Sequence, residues 1–176
     1  LDELLELAER HDLVVIEDAA HALGAEYLGR RVGSLSHMTT FSFHPVKHLT
    51  TGEGGMVTTD NPEYAGRLRS FRNHGINLEA SQRQGQANGD WYYEMSDLGY
   101  NYRLTDIGCA LGLSQLKRLP ENIKRRRQIV DIYNRAFQEL PGVIIPAELP
   151  GVKSAWHLYP IRLELALFPS GRKDVF

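Results

Sequence analysis

The chain has 176 residues, of which 42% are hydrophobic and 24% charged, and its formal net charge is −2. That length holds one domain, or one with part of a second. The near-neutral balance gives no electrostatic case for nucleic acid or an anionic membrane surface as a partner. The longest apolar runs, such as residues 13–16, fall far short of a bilayer span. No basic stretch followed by an apolar one opens the sequence, so no secretory signal is expected. Cys109 is the only cysteine, which excludes an internal disulfide and fits a cytoplasmic, reducing setting. Its neighbours, Ile107-Gly-Cys-Ala-Leu-Gly112, predict a packed helical position rather than a reactive thiol.

Residues 1–11 predict a helix whose apolar stripe is Leu1, Leu4, Leu5, Leu7 and Ala8. Leu1 already lies inside that stripe, with little room for a cap, so the chain reads as the middle of a longer protein. Leu13-Val-Val-Ile16 predicts a strand buried on both faces of a parallel sheet. It ends in Glu17-Asp18, at the strand edge where open α/β sheets bind ligands. Residues 39–43 and 56–59 predict further strands. Asp60 or Asn61 caps a helix that has Pro62 in its first turn and stops at Gly75. Residues 76–95 are rich in Gly, Gln and Asn and predict a long loop. Thr105-Asp106 caps a helix through Leu119, and Pro120 opens a second, long one that ends before Pro141-Gly142. Residues 143–145 and 158–165 predict strands. The change of pattern divides the chain into 1–119 and 120–176, with a second domain starting near the long helix.

The chemistry gathers around Lys47. A β-type run delivers this lysine into a loop closed by Gly52-Glu-Gly-Gly55, and a second β-type run follows at once. A lysine amine held out of bulk water can lose its proton and attack a carbonyl. Taken alone, Lys47 is a surface lysine and Asp18 a turn or cap residue. The glycines suit positive-φ backbone. They lack the Gly-Lys-Ser/Thr of a nucleotide loop and run into a strand, not a helix. His44 and His48 have the i,i+4 spacing of a zinc pair, but Pro45 argues against a helix there, and no metal site is expected. Lys124-Arg-Arg-Arg127 predicts the solvated face of the long helix.

As a set, three blocks resemble the DegT/DnrJ/EryC1/StrS family of sugar aminotransferases in order and spacing. They are Ile16-Glu-Asp-Ala-Ala-His-Ala-Leu-Gly-Ala25, Phe41-Ser-Phe-His-Pro-Val-Lys47 and Gly52-Glu-Gly-Gly55. The resemblance covers nearly all of the chain. It implies an α/β, fold-type I architecture, with part of the large domain and the start of a small C-terminal one. It implies pyridoxal 5′-phosphate (PLP) as cofactor, Lys47 as its Schiff-base lysine and Asp18 as partner of the pyridine nitrogen, which keeps the ring an electron sink. His21 falls where the family has Gln or His near the cofactor ring, and Ser42 where a serine bonds the phosphate. Gly99-Tyr-Asn-Tyr-Arg-Leu-Thr-Asp106 resembles the family's Asn-Tyr-Arg block. There Asn101 would reach a neighbour's cofactor phosphate, implying a homodimer with shared sites. Arg103 fits either substrate phosphates or an interface salt bridge equally well.

The activity so implied is amino transfer from an amino acid, typically glutamate, to a nucleotide-linked keto-sugar. Trp91-Tyr-Tyr-Glu-Met95, the Asn-Tyr-Arg block, Gln115-Leu-Lys-Arg-Leu119 and Trp156-His-Leu-Tyr-Pro160 look most like the pseudaminic-acid branch. That branch aminates the C4 ketone of a UDP-linked 6-deoxy-N-acetylhexosamine. Sugar dehydratases of the family carry histidine at the lysine position, and Lys47 argues against that alternative. A non-catalytic regulatory relative is the other rival, and a piece of this length need not be active alone.

Overall fold

The computed structural model describes residues 1–77 and 91–168. Most of the predicted polar loop and residues 169–176 lie outside the described residues. The opening helix is α1, Asp2–Arg10, which gives Ala8 to the interior and has no side-chain cap at Leu1. Strand β1 is Ile16–Asp18, so it begins where the apolar run was expected to end. Leu13, Val14 and Ile16 are exposed rather than buried on both faces. Burial of such a run needs neighbours on each edge and layers over each face. Among the described residues β1 pairs with a single strand.

That strand is β4, Met38–Ser42, the centre of a three-stranded sheet. The two run parallel, with Asp18 opposite Thr40. Strand β5, Gly55–Thr58, pairs with β4 in the antiparallel sense, with Ser42 opposite Gly55. A parallel return would need a crossover, usually a helix. Here residues 43–54 close on themselves instead. Phe43 N donates to Gly54 O at 2.8 Å, and Thr51 N to Phe43 O at 3.1 Å. The lysine loop is thus the link of an antiparallel pair. Phe41 and Phe43 join Ala19 and Leu49 in the core, with Leu23 and Val32 packed against them. Ser42 lies between the two phenylalanines and so faces the other way.

Two short strands, β2 (Glu26–Tyr27) and β3 (Arg30–Arg31), form a ribbon that β9 (Val152–Lys153) extends. This pairing brings the C-terminal part of the chain back beside the turn after β1. Lys153 Nζ reaches Glu26 Oε2 at 2.6 Å across it. Neither pairing has a local sign in the sequence, because strands this short carry no periodicity.

Helix α2, Pro62–Phe71, starts as predicted: Asn61 Oδ1 accepts from the backbone N–H of Glu63 (2.8 Å) and Tyr64 (3.2 Å). Beyond it, β6 (Ile76–Asn77) pairs with β7 (Glu94–Met95). The two helices expected around Pro120 are one, α3, Asp106–Phe137. Proline inside a helix costs about 3 kcal/mol through its lost N–H and ring clash. Tertiary packing on both sides offsets this: Leu119 and Val130 are buried, and Ile123 lies against Gly24. The arginines of this helix are not simply its solvated face, since Arg126 and Arg127 are half-buried. Cys109 lies on α3 but is exposed, so the expected packed position is not what the fold gives it. Of the predicted strand at 158–165 only β10, Arg162–Leu163, remains, paired with β8, Val143–Ile144. A 3-10 turn, Leu165–Leu167, follows.

Gly75, the predicted helix stop, has φ 69°, and any Cβ there would run into the carbonyl of Asp97. Gly75→Ala should therefore lower unfolding free energy by about 1–3 kcal/mol in the complete protein. Urea melts of the two forms, with equal slopes, would measure it.

Candidate active site

The parallel register sets the geometry. Asp18 ends β1 and Ser42 ends β4, so both stand at the carboxyl edge of the same strand pair. Glu17 and Asp18 point to opposite faces and have different partners. Glu17 Oε2 accepts from Ser36 Oγ (2.6 Å) and Thr39 Oγ1 (3.1 Å) and is structural. Asp18 is exposed, and its Oδ1 accepts from Ala20 N at 3.0 Å. That bond fixes the carboxylate and leaves Oδ2 without a partner among the described residues.

Lys47 follows a turn in which its own N–H donates to His44 O at 3.0 Å. Pro45 occupies the second turn position, where its fixed φ is favourable. Lys47 is half-buried, and its Nζ makes no hydrogen bond or ion pair among the described residues. Ser42 Oγ accepts weakly from His44 N at 3.4 Å, so its proton is free for an acceptor. Gly52 has φ 85°, as its type suggested, and Gly54 has Leu104 Cδ1 where a side chain would go. The two histidines of the i,i+4 pair diverge. His44 faces Glu53 at 3.9 Å in solvent, while His48 turns inward and donates Nε2–H to Ala155 O at 3.1 Å.

His48 leads to residues that the sequence did not single out. His157 lies with its ring centroid 5.1 Å from His48 and 4.3 Å from His21. Burial, helped by the basic neighbours His21, Lys47 and Arg126, pushes the His157 imidazole below its ordinary range. Burial likewise pushes His48 down from 6.5 to about 4. Arg126 Nη1 donates to the carbonyls of Trp156 (3.0 Å) and His157 (3.4 Å). Arg127 Nη2 donates to Ser154 O (2.9 Å) and pairs with Glu148 at 3.0 Å. The segment carrying His157 is thereby bonded to α3. The only sequence sign of it was the block 156–160, which has no local spacing that would point to Lys47.

Asn101 and Arg103 form a second group. The backbone of residues 100–102 is laced to the end of α2: Tyr100 N donates to Phe71 O (2.7 Å) and Tyr102 N to Arg72 O (2.9 Å). Arg103 Nη1 donates to Asn73 Oδ1 at 2.7 Å, and Asn101 is exposed. Among the described residues no hydrogen bond, ion pair or ring contact joins this group to Asp18, His21, Ser42 or Lys47. A cavity of about 640 Å³ lies on the Phe41 face of β4, lined by Leu23, Met56 and Leu116 among others. It is apolar and takes in none of the polar residues above.

An unpartnered amine, a fixed carboxylate with a free oxygen, a hydroxyl with a free proton and an imidazole thus share one edge. This donor set suits a phosphorylated aromatic aldehyde with a basic ring nitrogen. Such a donor set at the edge of an α/β sheet is of the kind that suits a carbonyl cofactor. The chain belongs to the DegT/DnrJ/EryC1/StrS aminotransferase family, whose model matches residues 1–175. It is 49% identical over 165 residues to the protein MJ1066 of Methanocaldococcus jannaschii, covering 94% of this chain and 42% of that one. It is 42% identical over 163 residues to a Campylobacter jejuni UDP-4-amino-4,6-dideoxy-N-acetyl-beta-L-altrosamine transaminase, covering 93% and 41%. The solved structure of Helicobacter pylori PseC, an aminotransferase involved in the biosynthesis of pseudoaminic acid, matches with TM-score 0.85 and 34% identity over 99% of this chain and 44% of that one. A putative sugar aminotransferase of Streptococcus pneumoniae, solved in its PLP form, matches with TM-score 0.75 and 36% identity over 86% and 38%. The α/β architecture is therefore the fold-type I one, and the chain spans about 42% of the length of the curated relatives it matches. No helix among the described residues is long and apolar enough to cross a membrane.

His48 gives a pH test. Its unfolded form takes up a proton near 6.5 and its folded form only near 4, so the depressed folded value costs stability as pH falls between them. The His48 contribution should be nil above pH 6.5 and should cost at most about 3 kcal/mol toward pH 4. Urea unfolding across that range should show the drop, and His48→Phe should shrink it, leaving the share of the similarly depressed His157.

Proposed function

We propose that the complete protein is a PLP-dependent aminotransferase that moves an amino group from an amino acid, glutamate in the first instance, to a nucleotide-linked keto-sugar. The single observation behind this is Lys47, half-buried and unpartnered, at the strand edge that Asp18 and Ser42 share. The family match supports the chemistry, and the PseC and Campylobacter likenesses support a UDP-linked 4-keto-6-deoxy-N-acetylhexosamine as acceptor.

Lys47 would hold the cofactor, Asp18 Oδ2 its ring nitrogen, Ser42 Oγ its phosphate, and His21 would lie near its ring. PLP supplies an aldehyde to carry the amino group and a ring that takes up an electron pair. Asp18 acts by keeping a proton on that nitrogen. Lys47 Nζ, as a free amine, takes the proton from the reacting carbon and returns it, a role worth about 10²–10⁴ in rate. Asn101 and Arg103, set apart from Lys47, are proposed to serve a neighbouring protomer's site in a homodimer. Arg103 is then either a substrate-phosphate or an interface contact. The division at 119/120 is kept as a proposal for where the large domain ends, although α3 runs unbroken across it.

Lys47→Ala in the complete protein should lower transamination at least about 100-fold. Borohydride treatment with PLP should fix the cofactor to Lys47 in the wild type, detected by peptide mass spectrometry. Label on another lysine, or full activity of Lys47→Ala, would overturn the reading. Asp18→Asn should keep the label and lose most of the rate, since it removes the charge that holds the ring proton.

A further inference from the structure

Basic side chains from three distant segments converge beside Lys47, and the proposed function uses His157 for nothing. Its ring centroid is 4.3 Å from that of His21. Its Nδ1 is buried and has no hydrogen-bond partner among the described residues. Its backbone is held harder than its side chain. Arg126 takes the carbonyls of Trp156 and His157, Arg127 takes that of Ser154, and His48 takes that of Ala155, which is 1% exposed. Between these bonds Trp156 has φ 52°. A bulky residue in that region costs on the order of 1–3 kcal/mol and persists only where its surroundings over-determine it. The strain turns the chain so that His157 meets His21.

The groups facing His157 are His21 from the turn after β1, Lys47 and His48 from the loop after β4, and Arg126 from α3. All are basic. A proton on His157 would therefore be repelled from every side, which favours the neutral ring.

We propose that His157 is a positioning residue of the lysine site: with its backbone clamped by Arg126, its ring sets the plane of His21 and bounds the space in which the Lys47 side chain turns. The proposal rests on Lys47 being the cofactor-bearing amine.

The test uses the complete protein with His157→Ala, His157→Phe, Arg126→Ala and Arg126→Lys. His157→Ala should lower kcat on the order of tenfold to a hundredfold, the effect of a small misplacement of reacting groups. KM for both substrates should stay within about threefold, since uniform binding is untouched. His157→Phe keeps a ring without a titratable nitrogen and should restore most of kcat. Arg126→Ala should imitate His157→Ala, and Arg126→Lys should recover part of the loss. Without cofactor, histidine titration by ¹⁵N NMR should show the His48 midpoint rising in His157→Phe, because the repulsion that His157 adds once both rings take up protons is gone. Unchanged kcat in His157→Ala, equal losses in the alanine and phenylalanine variants, or an unmoved His48 midpoint would each overturn the proposal. Borohydride labelling in the same samples separates the two levels. Label on Lys47 with unchanged kcat in His157→Ala sinks the positioning role alone, while no label on wild-type Lys47 sinks the lysine reading beneath it. If His157→Ala does not fold, the phenylalanine and Arg126→Lys forms still decide the matter through kcat and the His48 midpoint.

Discussion

The parallel pairing of β1 with β4 is the constraint on which the site depends. A parallel pair ends both strands at the same edge, so Asp18 and Ser42 both stand there although β2 and β3 lie between them in the chain. A slip of one residue would exchange faces along the whole strand. Ser42 would then turn into the core, and Phe41 and Phe43 would turn out of it. The buried alternation of β4 makes that slip costly, because each buried aromatic ring is worth on the order of 2–3 kcal/mol.

The lysine loop is shaped from both ends. Its base is closed by the bonds between Phe43, Thr51 and Gly54, and Gly54 leaves room for Leu104. Its far side is held from α3 through the segment 154–157. Arginine suits this task because its planar fork can hold more than one carbonyl while its stem packs against the helix. Charges that looked like a solvated patch in the sequence are thus a tie between two parts of the fold. His48 adds a bond from the lysine loop to the same segment, and its burial disfavours a proton on the ring.

Much of this was legible in the residues. The caps at Asn61 and Thr105 each accepted the backbone N–H groups that their types predict. The strands around Lys47 fell within a residue of their expected bounds, because β-branched and aromatic alternation is a local signal. The departures also have local causes. Pro120 read as a helix start because proline favours a first turn, yet packing by Leu119, Ile123 and Val130 carried the helix through. The run 13–16 read as doubly buried because apolar composition reports the need for covering layers, not their presence. Cys109 read as packed from small neighbours, which say nothing about the helix face it takes.

The sequence by itself determined the candidate set, which is the lysine in its glycine-closed loop, the aspartate at a strand end and the serine before the loop, and the family to which these blocks belong. These follow from short stretches in which spacing and side-chain chemistry are read together. Only the tertiary structure decided that β5 returns antiparallel, that Glu17 is held by Ser36 and Thr39 while Asp18 stays exposed, and that Asn101 and Arg103 group with Asn73 instead of Lys47. It alone joined His157 to His21 and Arg126 to the backbone of residues 156 and 157. Even the shorter of these contacts, Arg126 to Trp156, spans 30 residues, and no periodic signal extends that far. They exist because burial brings distant segments together and leaves each buried polar group to find whatever partner the packing supplies.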